Sequence, residues 1–349
     1  MKNLCGMTVD EIYELINPYE FTYTHAISVS NSLYKKRLKD FNDFPKIPGK
    51  LRSLLLDKAE TGFFRYTHMQ TSEDKSVKYL FMNSEGRRFE TVYIPDGKRH
   101  TVCVSTQSGC RMGCHFCVSG AYGFHGNLTT GEIINQILSI HAAGKITHVV
   151  FMGMGEPLDN TDNVFKACEI LTASWGLSLS PRNITVSTVG ILPSMQMFLQ
   201  KSDCNLTLSL HSPFAEERKL IVPVENKYPS AEIVKLMKEA KLRKGRRLTI
   251  AYIMIKDIND TDKHLEKLIS LLRGSSIRVN LLPYHSVGVD DKESSTPEKM
   301  QKFKHILVTS GISASVRRSR GEDISAACGL LAAGLGSKCK EDQVFGFIS

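Results

Sequence analysis

The sequence predicts an α/β fold: an open, partial (β/α)6 barrel preceded by an N-terminal helical accessory domain and a small antiparallel β layer. Three observations carry this reading. From Thr129 onward, strand-like runs alternate with amphipathic helical stretches, through THVVFMG, NITVSTVG, NLTLSLH, RLTIAYIMI, IRVNLLPY and ISASVRRS. The runs read as continuously apolar, as strands of a parallel sheet covered on both faces do. The residues of unusual chemistry fall at the carboxyl ends of these runs, where barrels of this kind place their sites. Six or so units are too few for a closed eightfold barrel.

Taken in order, Thr8 and Glu11 form a capping box ahead of Ile12, Leu15 and Ile16. Two further helices are predicted, near Thr24 to Leu38 and Lys50 to Lys58, with the turn FPKIPG between them. Residues 1–60 thus read as a helical packing or substrate-docking domain. Over 61–100 the period changes to two through FRYTHMQT, SVKYLFMN and RRFETVYIP, with SEDK and SEG as turns. On the third of these strands Glu90 shares a face with Val92 and Ile94, while Phe89, Thr91 and Tyr93 point the other way. A carboxylate on an apolar face is either a proton acceptor or the partner of a neighbouring arginine, and both readings stay open. The barrel is assigned to 101–335 and a tail to 336–349.

Composition bounds the class. The 349 residues are 42% hydrophobic with a net charge of +9, and they contain nine cysteines. No run reaches the roughly eighteen apolar residues of a membrane span, and the N-terminus lacks a signal-peptide pattern, so a cytoplasmic protein is expected. An odd number of cysteines there points to metal binding and catalysis rather than a disulfide scaffold. Basic clusters at Lys35/Lys36/Arg37/Lys39, Arg87/Arg88, Lys241/Arg243/Lys244/Arg246/Arg247 and Arg317/Arg318/Arg320 together suit a nucleic-acid partner.

The most specific motif is Cys110, Cys114 and Cys117, spaced C-x3-C-x2-C. Nine cysteines in 349 residues would produce such a triplet by chance roughly 0.006 times. Three thiolates leave a four-iron cluster one ligand short, so one iron is open to a small chelating molecule. Zinc would need a fourth Cys or His close by, and a redox CxxC would leave Cys110 idle. Downstream, Gly153 to Pro157 (GMGEP) end a strand with two glycines, and Glu156 there can accept a hydrogen bond from an ammonium group. Ser187, Ser209 and His211 stand at the ends of later strands, where capping and ligand binding are both open to them. Cys328 lies among small residues downstream of Arg317, Arg318 and Arg320, either a buried inert thiol or a reachable, activated one.

The combination of CVSTQSGCRMGCHFC, GMGEP, SLHSP, VPVENKYP and RGEDISAACG resembles the RlmN/Cfr family of radical S-adenosylmethionine (SAM) RNA methyltransferases over nearly the whole chain, and lies closer to the RlmN branch. The resemblance implies a 4Fe-4S cluster on Cys110, Cys114 and Cys117, and two SAM molecules per turnover. It implies methylation of C2 of adenosine in the peptidyl-transferase centre of 23S rRNA and, in some members, of the tRNA adenosine 3′ of the anticodon. The alternative is the C8 chemistry of the Cfr branch or a paralogue acting on another RNA; a module that only binds RNA is a third reading. By the same resemblance Cys328 carries a methyl group taken from one SAM. A radical formed from the second SAM removes hydrogen from that methyl, and the carbon radical adds to adenine. Glu90 then takes the ring proton, and Cys103 attacks the sulfur to release product, leaving a transient Cys103–Cys328 disulfide. Gly155, Glu156, Ser187, Ser209, Leu210 and His211 match SAM-contacting positions. His285 stands where the family has an asparagine that contacts SAM. An electron donor such as flavodoxin or ferredoxin, a monomeric state and no membrane complete the expectation.

Overall fold

The computed structural model describes residues 1–286 and 292–331, so the predicted tail 336–349 and the last four residues assigned to the barrel lie outside the described residues. Strand β1 (Lys2–Asn3) pairs in parallel with β2 (Ala59–Glu60), closing the helical segment at its ends. Helix α1 (Val9–Ile16) begins at the predicted capping box: Thr8 Oγ1 accepts from Glu11 N–H at 3.2 Å, and Glu11 Oε2 accepts from Thr8 N–H at 2.8 Å. The single helix predicted over Thr24 to Leu38 is instead α2 (Tyr23–Ser30) followed by a π-helical turn (Asn31–Lys35). Ser28 and Ser32 donate their hydroxyls to carbonyls four residues back, which loosens a helix at this point. The widened turn aims buried Tyr34 at the N-terminal loop, where its hydroxyl donates to Met7 O at 2.6 Å and accepts from Gly6 N–H at 3.1 Å. Helix α3 (Gly49–Lys58) completes the segment.

Strands β3 (His68–Thr71), β4 (Val77–Met82) and β5 (Arg88–Asp96) are antiparallel, and β5 pairs antiparallel with β6 (Arg99–Cys103). They continue directly into the parallel sheet, because β6 also pairs in parallel with β9 (His148–Phe151). Between them lie the hairpin of β7 (Gln107–Gly109) and β8 (Phe124–Asn127), the short helix α4 (Val118–Tyr122) and α5 (Thr130–Leu138). The chain then alternates through α6 (Thr161–Thr172), β10 (Ile184–Thr188), α7 (Leu192–Lys201), β11 (Asn205–Ser209), α8 (Ala215–Ile221) and α9 (Ser230–Glu239). It continues through β12 (Leu248–Met254), α10 (Asp262–Leu272), β13 (Arg278–Pro283), α11 (Pro297–Thr309) and β14 (Ala314–Val316). The ten-stranded sheet runs β14-β13-β12-β11-β10-β9-β6-β5-β4-β3 and is open at both edges, an α/β partial barrel of six βα units plus a last strand. No helix among the described residues is long and apolar enough to cross a membrane.

The strands are not apolar on both faces, as the sequence reading had them. Along β9 to β13 the fully buried Val149, Phe151, Ile184, Val186, Leu206, Leu208, Ile250, Tyr252, Val279 and Leu281 alternate with Thr185, Ser187, Thr207, Ser209, Thr249 and Asn280. Pairing puts the second set on one surface, with Ser187 beside Thr207 and Thr249, and Ser209 beside Ala251 and Asn280. An open barrel explains this: the outer face is sealed in apolar packing, each large residue contributing about 1.5–3 kcal/mol, while the inner face lines a concavity. Serine and threonine are β-compatible there without filling it.

Beyond β14 the chain crosses the open side as a strap, residues 317–331. Arg317 N–H donates to Leu281 O at 2.9 Å, Arg320 pairs with Asp96 at 3.4 Å, and Gly321 N–H donates to Asp74 Oδ2 at 3.0 Å. Ser72 Oγ donates to Asp323 Oδ1 at 2.6 Å, and the far end is pinned by Val118 N–H to Gly329 O at 2.7 Å and Ser119 Oγ to Leu331 O at 2.6 Å. The last parallel strand is thereby tied to the antiparallel strands and to the loop after β7.

The accessory helices dock where Gly6, at φ +92°, passes so close to α5 that a Cβ would lie 2.2 Å from Gly131 N. Gly86, at φ +75°, has nothing within 4 Å of its Cβ position. Gly86→Ala should therefore cost only the left-handed backbone penalty of about 1–2 kcal/mol. Gly6→Ala should lose a further 1–3 kcal/mol, roughly, from overpacking. Urea unfolding measures both, and equal losses would contradict a tight junction.

Candidate active site

The loop from Cys110 to Cys117 leaves the β7 edge and is fixed by backbone bonds, Cys110 N–H to Gly123 O at 3.0 Å, His115 N–H to Ile221 O at 3.1 Å and Cys117 N–H to Cys114 O at 3.1 Å, and by Arg111, whose Nε pairs with Asp159 Oδ2 at 2.9 Å. The three thiols are close enough for charge on Cys110 and Cys117 to raise Cys114, whose burial raises it further; burial pushes Cys110 up to about 12. Yet among the described residues no three Cys, His, Asp or Glu side chains gather as ligands of one metal ion. An iron-sulfur cluster offers each thiolate a separate iron. The donor set fits a 4Fe-4S cluster with one iron left for a ligand of another kind.

Opposite the loop, Gly155 adopts φ +98° and a Cβ would lie 2.6 Å from that of Gln107, so only glycine lets the strand end nest here. Gln107 fastens the nest: its Oε1 accepts from Glu156 N–H at 2.9 Å and its Nε2 donates to Asp159 Oδ2 at 2.8 Å. Glu156 is buried, and its two carboxylate oxygens accept from Leu158 N–H and Val189 N–H, each at 2.9 Å. Burial pushes its carboxyl up to about 7, against the lowering effect of these bonds and of Thr188. Glu156 therefore joins the ends of β9 and β10 as well as facing the cysteine loop, whose Cys110 and Cys114 sense its charge.

Ser187 and Ser209 lie on the inner surface near the carboxyl ends of adjacent strands, half-buried rather than sealed. Leu210 is fully buried, and its backbone N–H donates to Ala251 O at 3.1 Å. His211 is only 2% exposed and sits at φ +62°, a conformation that costs a non-glycine residue free energy and gathers at functional sites. Its Nδ1 accepts from Ile253 N–H at 3.1 Å, and burial, aided by Arg218, lowers its pKa to about 3. The ring is thus neutral with its proton on Nε2, and that buried donor has no partner among the described residues. The ring meets Phe116 of the cysteine loop edge-on, centroids 4.5 Å apart. His285 donates or accepts through Nε2 with Ser319 Oγ at 2.7 Å, which links the end of β13 to the strap; burial lowers its pKa and Glu322 opposes this.

Two buried charged residues that shape the site were not singled out from the sequence. Arg218 is 0% exposed and donates from Nε to Leu210 O at 3.0 Å and from Nη2 to Val189 O at 2.7 Å and Ser209 O at 3.0 Å. Its Nη1 pairs with buried Glu225, which also accepts from Ser230 N–H and Oγ, both at 3.0 Å. One guanidinium thus holds the ends of β10 and β11, and its charge is felt at Cys114. AEERK reads as an exposed charged helix, and the only clue to the pair was the nearby VPVEN.

Glu90 is buried, and its carboxylate lies 3.7 Å from the ammonium of Lys78, a lysine that the sequence reading did not consider. The register places Lys78, Val92 and Cys103 in one cross-strand row, with Leu80 and Glu90 in the next, so Lys78, Glu90 and Cys103 share a face. Cys103 ends β6, buried, with its thiol pushed up by burial and by charge on Cys328. Cys328 keeps accessible surface but lies in a recess of the strap that desolvates its thiol; Arg317 opposes the rise and charge on Cys117 adds to it. The strap therefore brings Cys328 within electrostatic reach of Cys103 and Cys117 alike.

The radical SAM superfamily model matches residues 104–272. A probable dual-specificity RNA methyltransferase RlmN of Parabacteroides distasonis is 42% identical over 330 residues, covering 95% of this chain and 96% of the relative. The dual-specificity RNA methyltransferase RlmN of Syntrophotalea carbinolica is 37% identical and covers 94% of this chain and 89% of its own. The crystal structure of a radical SAM methyltransferase from Sphaerobacter thermophilus superposes with a TM-score of 0.88 at 33% identity, over 95% of this chain and 100% of that one. Similarity of this extent, over both the barrel and the segments flanking it, makes the chain a member of the RlmN family of radical SAM RNA methyltransferases.

Proposed function

We propose that the chain methylates C2 of an adenosine in 23S rRNA at the peptidyl-transferase centre and of the tRNA adenosine 3′ of the anticodon, using two SAM molecules per turnover. The observation that carries the reading is the meeting of Cys328, Cys103 and Glu90 beside the cysteine loop. C2 of adenine is an electron-poor carbon that does not attack a sulfonium methyl. When bound, the cluster and SAM supply a methyl group and a carbon-centred radical. This chain's residues do the rest. Cys110, Cys114 and Cys117 would hold the cluster; Gly155 leaves backbone space and Glu156, Ser187, Ser209, Leu210 and His211 line the SAM side, with His211 offering its Nε2 proton as a fixed donor.

Cys328, reached from solvent on the strap, carries the methyl as a thioether. Glu90 takes the ring proton, and the adduct's unpaired electron would leave to the bound cluster; Cys103 then attacks the Cys328 sulfur, the carbon–sulfur pair goes to the methylene carbon, which gains a proton to become methyl, and the disulfide left behind is reset by an external thiol or reductase. A low-potential donor such as flavodoxin or ferredoxin feeds the cluster, and a monomer in the reducing cytoplasm suits these free thiols. The names of the relatives support C2 over the C8 alternative. Mass spectrometry of RNA from cells lacking the gene tests the choice: loss of 2-methyladenosine is expected, and loss of 8-methyladenosine instead would overturn it.

Cys328→Ala should abolish methylation while leaving RNA affinity unchanged, separating an enzyme from a binding module. Cys103→Ala should accumulate a covalent protein–RNA adduct on denaturing gels; free unmethylated RNA with no shifted band would contradict the two-thiol scheme. Because burial holds His211 at about 3, below the usual histidine range, it is neutral throughout pH 5–8. The unfolded chain binds that proton at higher pH, so His211 costs stability as pH falls from about 6.5 toward 3. His211→Gln should flatten this part of the acid-unfolding profile, and an unchanged slope would mean the ring is charged when folded.

A further inference from the structure

Lys78 has no place in the scheme above, yet it is one of the few lysines taken out of water. Its Nζ lies 3.7 Å from Glu90 Oε1, with the two side chains 10% and 3% exposed. In β4 the residues Val77, Tyr79 and Phe81 are buried on one face, so Lys78 points to the other, in the same row as Cys103. Removing two charges from water costs several kcal/mol per ion, and well-packed apolar residues would commonly serve stability as well. The pair is therefore better explained by chemistry than by folding.

We propose that Lys78 is a positioning residue for proton abstraction: its ammonium places an opposite charge beside the Glu90 carboxylate and fixes that carboxylate to receive the adenine C2 proton. This rests on the reading of Glu90 as the proton acceptor. In the step, the proton passes to a Glu90 carboxylate oxygen, the C2–H electron pair stays with the ring, the unpaired electron left by radical addition would leave to the one-electron acceptor, the bound cluster, and Lys78 exchanges no proton. Without a neighbouring cation, a buried carboxylate would be protonated at higher pH and could not accept. The other titratable or charged residues sharing this face by register are His68 on β3, Arg88 and Asp96 on β5, Arg99 and Cys103 on β6, and His148 on β9, with Cys328 approaching on the strap. His68 and Arg88 are exposed and screened by water. Arg99 sits at the far end of β6 with Asp96 as its cross-strand neighbour, and both thiols are neutral because burial raises them.

The test is the pH dependence of 2-methyladenosine formation by the iron-loaded full chain on a tRNA transcript, in single turnover. An opposite charge at this distance lowers a carboxylate by about 1–3 pH units, so Lys78→Met should move the acidic limb upward by that amount. Lys78→Arg should restore the limb. Iron content and S-methylation of Cys328, which need no base at Glu90, should match the parent chain. If Lys78→Met loads iron poorly, Lys78→Gln is read for the same shift. An unmoved limb in the variant that loads iron would overturn the proposal. Glu90→Gln separates the layers: an arrested adduct in Glu90→Gln with an unmoved limb at Lys78 sinks the lysine's role alone, whereas normal methylation by Glu90→Gln sinks the base.

Discussion

A backbone bond from Val118 N–H to Gly329 O joins the helix behind the cysteine loop to the strap, and the rest of the arrangement depends on it. On the proposed mechanism, two thiols far apart in sequence act on one nucleobase. An open sheet offers no reason for its last strand to meet its first. The strap supplies the reason, anchored at Asp96, Asp74 and Ser72 on one side and at Val118 and Ser119 on the other. Most of these contacts are hydrogen bonds worth about 0.5–1.5 kcal/mol each, rather than deep apolar burial. Such a segment is held in place while Cys328 on it stays accessible, as the proposed methylation, cross-linking and release of that thiol require.

Beneath the strap the site is rigid. Glu156 and Arg218 each tie the ends of neighbouring strands through buried charge and backbone groups, so the ligand-facing surface is made by elements that cannot move independently. Breaking a buried ion pair by removing one partner costs about 3–5 kcal/mol, because the other charge is stranded. The barrel's inner serines and threonines belong to the same design: they keep the concavity open, and the outer Val, Ile and Leu residues supply the stability.

Much of this was legible in the chain. The cysteine triplet, GMGEP and the Thr8–Glu11 capping box are local signals, and their spacing survives without any tertiary information. The βα alternation is likewise written in short periods. What stayed hidden depends on register or on long-range contact. The inward small polar residues of NITVSTVG and NLTLSLH blurred into apolar runs, because threonine and serine fit strands as well as apolar residues do. Arg218 and Glu225 carry no local mark of burial, since nothing in the sequence says that α8 turns inward. Lys78 faces Glu90 only through the β4 and β5 pairing. The π turn at Asn31–Lys35 follows from serine back-bonding and from Tyr34 reaching the N-terminal loop, a contact of long sequence separation.

The meeting of the two thiols is tested most directly by peptide mapping under non-reducing conditions after a single turnover without added reductant. A disulfide linking the Cys103 and Cys328 peptides, formed in step with methylated adenosine, is the predicted result. Methylated product appearing while both thiols remain free, or while either is bonded to another cysteine, would contradict it.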